Sequence, residues 1–345
     1  MSKYLSDKLL FFHMLGTFFV LYIHMHIYQV PFGGFDSFQN IFDNTFCRVF
    51  QPTFFGISGY LFFININDRF GINEYKLKMR KRLYSLVIPY IIWNIVDYLF
   101  IVLCYNIDVH SHIVDSMYER CNSHPLLWTI FNQPAKTQFW FVKDLIICQF
   151  ASFVLYKVLA RRILGIMMIL SFLLIGYSLE FVPHFFFPSL PFSFFSFCIG
   201  AYLSIHKVNL KISHYGGAIS LLLTVIVINY LSQMSVFNNW FFVLSWVSLA
   251  LLWYLYDLMS VDKFVQRNYD IVRKLSAASF FVYVIHYPLL DILKTSVVNF
   301  VLDDMVVCVS MYLFVPILLY FVLMFFHDCL SRKYSKVMSV LFGGR

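Results

Sequence analysis

Residues 8–30 read KLLFFHMLGTFFVLYIHMHIYQV, an apolar run that is long enough to cross a lipid bilayer as one helix. A membrane-spanning helix needs about 20 mostly apolar residues, because the hydrocarbon core of a bilayer is about 30 Å thick. Two histidines, His24 and His26, lie near the end of the run. No small-residue cleavage site follows it, so we expect the run to remain in the protein as the first membrane helix.

Comparable apolar runs recur from one end of the chain to the other. Of its 345 residues, 60% are hydrophobic and only 13% are charged, whereas about 25% are charged in a soluble domain. The composition therefore predicts an all-α fold, a polytopic membrane helix bundle formed by a single integral-membrane domain over residues 1–345. We predict ten membrane helices, at residues 8–30, 46–66, 83–105, 138–157, 163–181, 188–206, 215–232, 239–257, 276–298 and 305–327.

The charges between these helices predict the orientation of the chain. Most of the 26 lysines and arginines fall in alternate connections, and the positive-inside rule then places both termini in the cytoplasm. The most basic cytoplasmic loop is 67–82, and the longest outer loop is 106–137. The net charge of +8 is explained by contact with anionic membrane lipids. It gives no reason to expect nucleic acid as a partner.

Cysteine and histidine spacing gives no indication of a metal site. The seven cysteines are scattered without a CxxC pair, so neither a metal centre nor a disulfide framework is predicted. The histidines and acidic residues of the outer loop 106–137 also follow no spacing that is typical of metal ligands.

Three histidines of the first helix are unusual, because an ionisable group in lipid costs several kcal/mol unless it meets a partner or a wet cavity. His24 and His26 lie about 200° apart around a helix, so they cannot share one face. His13 and His24 share a face about 16 Å apart along the axis. His24 is either a functional group or a histidine hydrogen-bonded to a neighbouring helix, and for His13 and His26 we prefer the structural interpretation.

The second helix contains CRVFQPTFFGISGYLFF at 47–63. Arg48 falls at its outer mouth, where an arginine commonly extends its side chain to the interface. Ser58 and Gly59 permit a close approach of another helix or a local distortion of the backbone. The basic stretch after this helix, KLKMRKRLYSLVIPYIIWN at 76–94, either anchors to lipid headgroups or binds an anionic cytoplasmic substrate through its guanidinium groups. Its cations include Lys78, Arg80, Lys81 and Arg82.

Two later stretches also place polar groups inside predicted helices. In TQFWFVKDLIICQF at 137–150, Trp140 shares a helical face with Lys143 and with Asp144, which indicates either a polar cavity or a buried structural ion pair. In SAASFFVYVIHYPLLDILK at 276–294, His286 falls near mid-membrane and Pro288 bends the helix just beyond it. In the same stretch, Asp291 and Lys294 are predicted to form a structural pair.

Taken in order, these stretches resemble the membrane acyltransferase 3 family, whose members acylate polysaccharides and other sugars of the cell envelope. The resemblance runs through VLYIH, RVFQPTFFGISGYLFF, PYIIWN, FWFVKDL, FFSFCIGAYLS at 194–204 and SFFVYVIHYP, and the closing LFGGR at 341–345 is similar to the tails of members from capsule clusters. It implies an acyl-CoA donor, in the simplest case acetyl-CoA, on the cytoplasmic side. It also implies a sugar hydroxyl as acceptor and a bacterial inner membrane as location.

The resemblance further implies roles for particular residues. The essential histidine of the family corresponds to His24, which would be a general base or a transient acyl carrier. Many members have an arginine at the position of His13, whereas Arg48 matches the arginine of the family motif. We hypothesise that Arg48 or Lys143 stabilises negative charge and that Tyr60 or Ser58 donates to the oxyanion. Lys78, Arg80, Lys81 and Arg82 would bind the phosphates of CoA, and His13, His26, Trp140, Asp144 and His286 would have supporting roles.

Two other functions stay open at this stage. A transporter or flippase for a glycan also has many helices and polar residues at mid-depth, although no half-to-half repeat of the kind found in many transporters is visible. A non-catalytic scaffold of a glycan-synthesis complex would explain the missing arginine at position 13.

Overall fold

A computed structural model describes residues 2–27, 33–66, 70–107, 112–179, 189–211, 217, 219, 221–226, 241–301 and 304–344. All regular secondary structure within these ranges is helical. The main helices are α1 (Lys3–Met25), α2 (Gly33–Phe42), α3 (Phe50–Phe63), α4 (Ile72–Arg82), α5 (Ile88–Asn106), α6 (His112–Ser123), α7 (Leu126–Phe131), α8 (Trp140–Leu159), α9 (Arg162–Leu179), α10 (Leu190–Ile205), α11 (Phe241–Leu258), α12 (Val261–Arg267), α13 (Tyr269–Val301), α14 (Met305–Lys333) and α15 (Ser335–Phe342).

Several of these helices have the length and apolarity of membrane spans. Four stretches of the described chain are long and apolar enough to cross a bilayer: Lys3–Met25, Ile72–Asn106, Thr137–Leu159 and Met305–Lys333. Two shorter apolar helices are Arg162–Ser178 and Leu190–Ile205. On α14, Phe314, Leu318 and Phe325 share one face and are each more than 60% exposed. Such an apolar outer face is suited to lipid tails.

The helix positions follow the hydropathy pattern closely for most of the predicted spans. The predicted span 83–105 corresponds to α5 and 138–157 to α8, while 215–232 lies mostly outside the described residues. The first span differs at its outer end, because α1 stops at Met25 and His26 follows it in non-helical conformation. The count of ten spans and the cytoplasmic location of both termini stay predictions.

The chain divides into two compact units: Met1–Val20, Gln39–Ile72 and Cys148–Ser276 form the first, and Leu21–Phe38, Asn73–Ile147 and Ala277–Arg345 form the second. The core of the first unit is aromatic. Phe12 contacts Phe50, Trp253 and Tyr256, with ring centroids 5.0 to 6.4 Å apart. Lys8 extends into the same region and is fully buried. Its ammonium lies 2.7 Å from Asp257 and 4.0 Å from the centre of the Trp253 ring.

Helices α3 and α10 of the first unit pack with their backbones in contact. A Cβ atom on Gly200 would lie 1.8 Å from the carbonyl oxygen of Gly56, and one on Gly59 would lie 2.1 Å from that of Phe197. No side chain fits at either position. The glycines of the stretch 47–63 therefore serve the close helix approach that their sequence indicated.

The second unit is organised by a fold-back segment, residues 126–139, which turns back along α5. Tyr90 donates from its hydroxyl to the carbonyl of Ile130, and the Asn94 side chain accepts from the amide of Ala135. Tyr90 lies about 24 Å from the end of α5 at Asn106, by the rise of an α-helix. The longest predicted outer loop, 106–137, is therefore not a simple surface connection. Its non-helical part includes the buried residues Ala135 and Lys136, and irregular backbone in a membrane protein is tolerated where it is buried in protein.

Residues 341–344, which belong to the closing LFGGR, pack inside the second unit. The indole of Trp93 donates to the carbonyl of Leu341, and the ring of Phe342 lies 4.9 Å from that of Phe281. Gly343 has a φ of 75°, and a Cβ atom there would lie 2.2 Å from the carbonyl oxygen of Ser85. Only glycine meets both demands at this position.

Candidate active site

The last turn of α1 brings His24 next to the middle of α13, within the second unit. The ring of His24 lies 5.2 Å from that of His286 and 4.9 Å from that of Tyr287, centroid to centroid. His286 is fully buried, whereas His24 is partly exposed. Two imidazoles at this separation can share a proton or act on one substrate group.

The tautomer of neutral His286 is set by its own helix. Its Nδ1 lies 3.0 Å from the carbonyl oxygen of Val282. Because a carbonyl oxygen only accepts, Nδ1 carries the hydrogen, and Nε2 of the neutral ring carries the lone pair. Within the described residues, Nε2 is buried and makes no hydrogen bond. The ring thus presents a buried acceptor nitrogen, and it does so beside the imidazole of His24.

Helix α13 is kinked directly after His286. Tyr287 has φ −123° and ψ 130°, the extended conformation that a following proline favours. Two side chains of the fold-back segment reach the turn before the kink. The Lys136 ammonium donates to the carbonyl of Val284 at 2.8 Å, and the Gln138 amide donates to that of Tyr283 at 3.3 Å. The turn of α13 before the kink is therefore stabilised by hydrogen bonds from side chains of the fold-back segment.

Lys136 is itself paired with an acid. Its ammonium lies 2.7 Å from a carboxylate oxygen of Asp97 on α5, and both side chains are less than 5% exposed. The Tyr283 hydroxyl donates to the backbone carbonyl of Gln138 at 2.6 Å. Together these contacts join α5, the fold-back segment and α13 beside His286.

Lys143 and Asp144 of α8 do not form a tight ion pair. The Lys143 ammonium donates to the backbone carbonyl of Asn132 at 3.0 Å, and it lies 3.9 Å from Asp144. Asp144 is fully buried, and Trp140 is partly exposed. Lys143 thus supports the fold-back segment. Its predicted role in charge stabilisation stays a prediction.

His26 lies beyond the end of α1 and has structural partners. Its Nε2 is 3.7 Å from Asp36, and its backbone carbonyl accepts from the Lys294 ammonium at 3.0 Å. Lys294 also lies 3.5 Å from Asp291, which confirms the predicted structural pair on α13. These contacts support the structural interpretation of His26.

The first unit holds the other predicted residues of the site. His13 Nδ1 lies 3.2 Å from the hydroxyl of Ser276, and its ring lies edge-on to Phe54. Arg48 has an exposed side chain, just before α3 begins. The Ser58 hydroxyl accepts from the Gln149 amide at 3.1 Å. His13 thus has a neutral partner, the hydroxyl of Ser276.

A cavity of about 630 Å³ opens at one end of the first unit. Tyr60 lines it, about 15 Å along α3 from Phe50. Two lysines, Lys207 and Lys211, line it together with Asn65. Tyr60 and Arg48 are therefore at opposite ends of α3, and they cannot stabilise the same oxyanion.

The predicted basic loop 67–82 is not a loop over most of its length, because residues 72–82 form helix α4. Helix α4 has no buried residue, and it carries cations in its last turn at Arg80, Lys81 and Arg82. Ile72–Asn106 continues as one stretch of 35 residues, which is longer than the about 20 residues a bilayer requires. Its charged beginning therefore extends beyond the hydrocarbon. This geometry suits lipid headgroups and anionic substrates alike.

Sequence reasoning missed Asp97, Lys136 and Gln138 as neighbours of the site. Asp97 carried a usable signal, because it is an acid inside the predicted span 83–105. Lys136 looked like an ordinary cation of an outer loop, and no spacing relates it to α13.

The apolar helices and buried polar residues define a multi-pass, helical membrane protein. The family model described as "Acyltransferase domain" matches residues 13–340, nearly the whole chain. The chain therefore belongs to the membrane acyltransferase 3 family, as its motifs predicted. No curated protein and no solved structure matches the chain at a significant level.

Proposed function

We propose that the protein is an integral-membrane O-acetyltransferase. It would move an acetyl group from acetyl-CoA to a hydroxyl of a surface or capsular polysaccharide, or of the lipid-linked precursor, in a bacterial inner membrane. The observation that carries the proposal is the contact of His24 with His286 in a chain that belongs to an acyltransferase family.

In the proposed reaction His24 accepts the proton of the sugar hydroxyl. The hydroxyl oxygen attacks the thioester carbonyl, and a C–O bond forms as the tetrahedral oxyanion develops. The oxyanion then collapses, the C–S bond breaks, and the thiolate of CoA leaves with the proton that His24 had taken. The lone pair of His286 Nε2, which lies beside His24, would accept a hydrogen bond from the other N–H of His24 and so leave the lone pair of His24 directed at the sugar hydroxyl.

The remaining roles are those hypothesised from the sequence. Arg48 or Lys143 is proposed to stabilise negative charge, and the Ser58 hydroxyl, which accepts from Gln149, keeps its hydrogen for donation. We assign Tyr60 to the donor side, because it lines the cavity with Lys207 and Lys211.

The phosphates of the donor are proposed to bind the cations of α4. Lys78, Arg80, Lys81 and Arg82 fall within five consecutive residues of a helix that projects beyond the hydrocarbon. Guanidinium groups bind phosphate through two parallel hydrogen bonds. Both termini and this helix would then face the cytoplasm, where acyl-CoA is found.

The test uses purified protein in detergent with acetyl-CoA labelled in the acetyl group and the surface polysaccharide of the host as acceptor. We expect label in the polysaccharide, and a loss of about 10²–10⁴ in rate for His24→Ala, the usual contribution of a general base. His327→Ala is the matched control, since His327 contacts Phe281 and Asp328. A transporter or a scaffold would transfer no label, and unchanged transfer by His24→Ala would exclude the mechanism.

A further inference from the structure

The kink of α13 creates a backbone group that cannot find its usual partner. In an α-helix the carbonyl of residue 284 accepts from the N–H of residue 288. Residue 288 is proline, which has no N–H. The carbonyl of Val284 is therefore deprived of its helical donor two residues before His286. Prolines are tolerated in membrane helices where neighbouring groups satisfy such carbonyls.

The missing donor is supplied by Lys136. Its ammonium lies 2.8 Å from the carbonyl oxygen of Val284 and 2.7 Å from Asp97. Lys136 is 3% exposed, so it does not reach water as lysines usually do. A buried ammonium has three hydrogens to donate, and two of them are directed to these oxygens. Asp97 balances its charge and holds it in place.

We propose that Lys136 is a positioning residue, whose ammonium replaces the peptide donor that Pro288 lacks and thereby fixes the kink that directs His286 towards His24. Asp97 anchors Lys136 from α5, and the Tyr283 hydroxyl fastens the fold-back segment to the same turn of α13. This inference rests on the proposed function, because it gives His286 its orientation for the reaction. Lys136 contacts neither substrate in this scheme.

The test must remove the ammonium without leaving a buried unpaired carboxylate, which would destabilise the protein by itself. The variant is therefore the double substitution Lys136→Met/Asp97→Asn. It is compared with the same substitutions in a Pro288→Ala background, in which the new N–H can bond to the carbonyl of Val284. The matched control is Lys8→Met/Asp257→Asn, which neutralises a buried pair of the same 2.7 Å separation in the first unit.

The first readout is the Tm of the purified protein in detergent, which requires no activity. We expect Lys136→Met/Asp97→Asn to lower Tm clearly with Pro288 present and much less in the Pro288→Ala background. The control pair should lower Tm equally in both backgrounds. An equal loss for Lys136→Met/Asp97→Asn in the two backgrounds would overturn the proposal.

The second readout is acetyl transfer. Loss of the position of His286 is expected to reduce kcat about 10²-fold, the scale of a misplacement by about 1 Å, with KM for both substrates unchanged. Lys136→Arg keeps a buried cation donor and should retain most of kcat. If Lys136→Met/Asp97→Asn lowers Tm only when Pro288 is present but leaves kcat unchanged, the positioning role is overturned. If the wild-type protein transfers no acetyl group, the proposed function fails, whereas the Tm comparison still decides whether Lys136 serves Val284.

Discussion

The rings of His24 and His286 lie with their centroids 5.2 Å apart and their planes tilted by 49°, although His24 lies in the last turn of α1 and His286 in the middle of α13. The pairing joins the two histidines that stood in separate motifs of the sequence. The two rings differ in environment, because the buried ring of His286 bonds to the carbonyl of Val282 while that of His24 is partly exposed. The exposed partner is suited to meet substrate, and the buried one to control the proton.

The first prediction concerns His286. His286→Phe keeps a ring of similar size but removes the acceptor nitrogen, so the rate of acetyl transfer should fall by about 10²-fold or more while the protein still accumulates in the membrane. The measurement is kcat of the purified protein. His327→Phe should behave like wild type, and a wild-type rate for His286→Phe would show that Nε2 takes no part.

The second prediction concerns the donor phosphates. Arg80→Gln/Arg82→Gln should raise KM for acetyl-CoA several-fold at low salt and less at high salt, because exposed charges are screened over about 10 Å at 0.1 M ionic strength. The Lys207→Gln/Lys211→Gln variant is the comparison, since these lysines line the cavity of the first unit. A larger increase of KM in that variant would move the phosphate site from α4 to the cavity.

The third prediction concerns the contact of α3 with α10. Gly200→Ala places a methyl group where 1.8 Å separates it from the carbonyl oxygen of Gly56, so the helices must separate. Overpacking of this kind costs about 1–3 kcal/mol or more. The Tm in detergent and the amount of protein in the membrane should both fall. Gly71→Ala has no neighbour within 4 Å and should change neither quantity.

The fourth prediction concerns the buried pair of Lys8 and Asp257. Lys8→Met alone leaves an uncompensated carboxylate and should destabilise the first unit by about 3–5 kcal/mol. Adding Asp257→Asn should restore part of the loss, because the orphaned charge is then removed. Thermal unfolding of the single and double variants measures the coupling. Equal stability of the two variants would mean that the hydroxyl of Tyr4, which already donates to Asp257, compensates the carboxylate without Lys8.

Hydropathy alone was sufficient to place most of the long helices, since α5, α8, α9 and α10 each coincide with an apolar run of the sequence. It gave no sign of α2 or α4, because neither helix is apolar throughout. The strong helix formers of α4, its glutamate, lysines and arginines, carried that information instead. The end of α1 was placed too late because the apolar run continues past Met25.

The site could be predicted only in part. His24 and His286 were identifiable as ionisable residues in lipid, but no spacing in the sequence relates a residue of α1 to one of α13. The role of Lys136 depends on three separate elements meeting, since its partners are Asp97 of α5 and Val284 of α13. Such contacts are set by tertiary packing. The sequence next to residue 136 therefore gives no indication of these contacts.

The fold-back segment, residues 126–139, constrains how the protein is made. Its first partners on α5, Tyr90 and Asn94, leave the ribosome before it, whereas Tyr283 is synthesised 145 residues after Gln138. A nascent chain that has not yet inserted α13 therefore cannot complete the hydrogen bonds of this segment. The hydrogen bonds of residues 126–139 to α13 thus form late in biogenesis, and the histidine pair is assembled only after α13 has been synthesised.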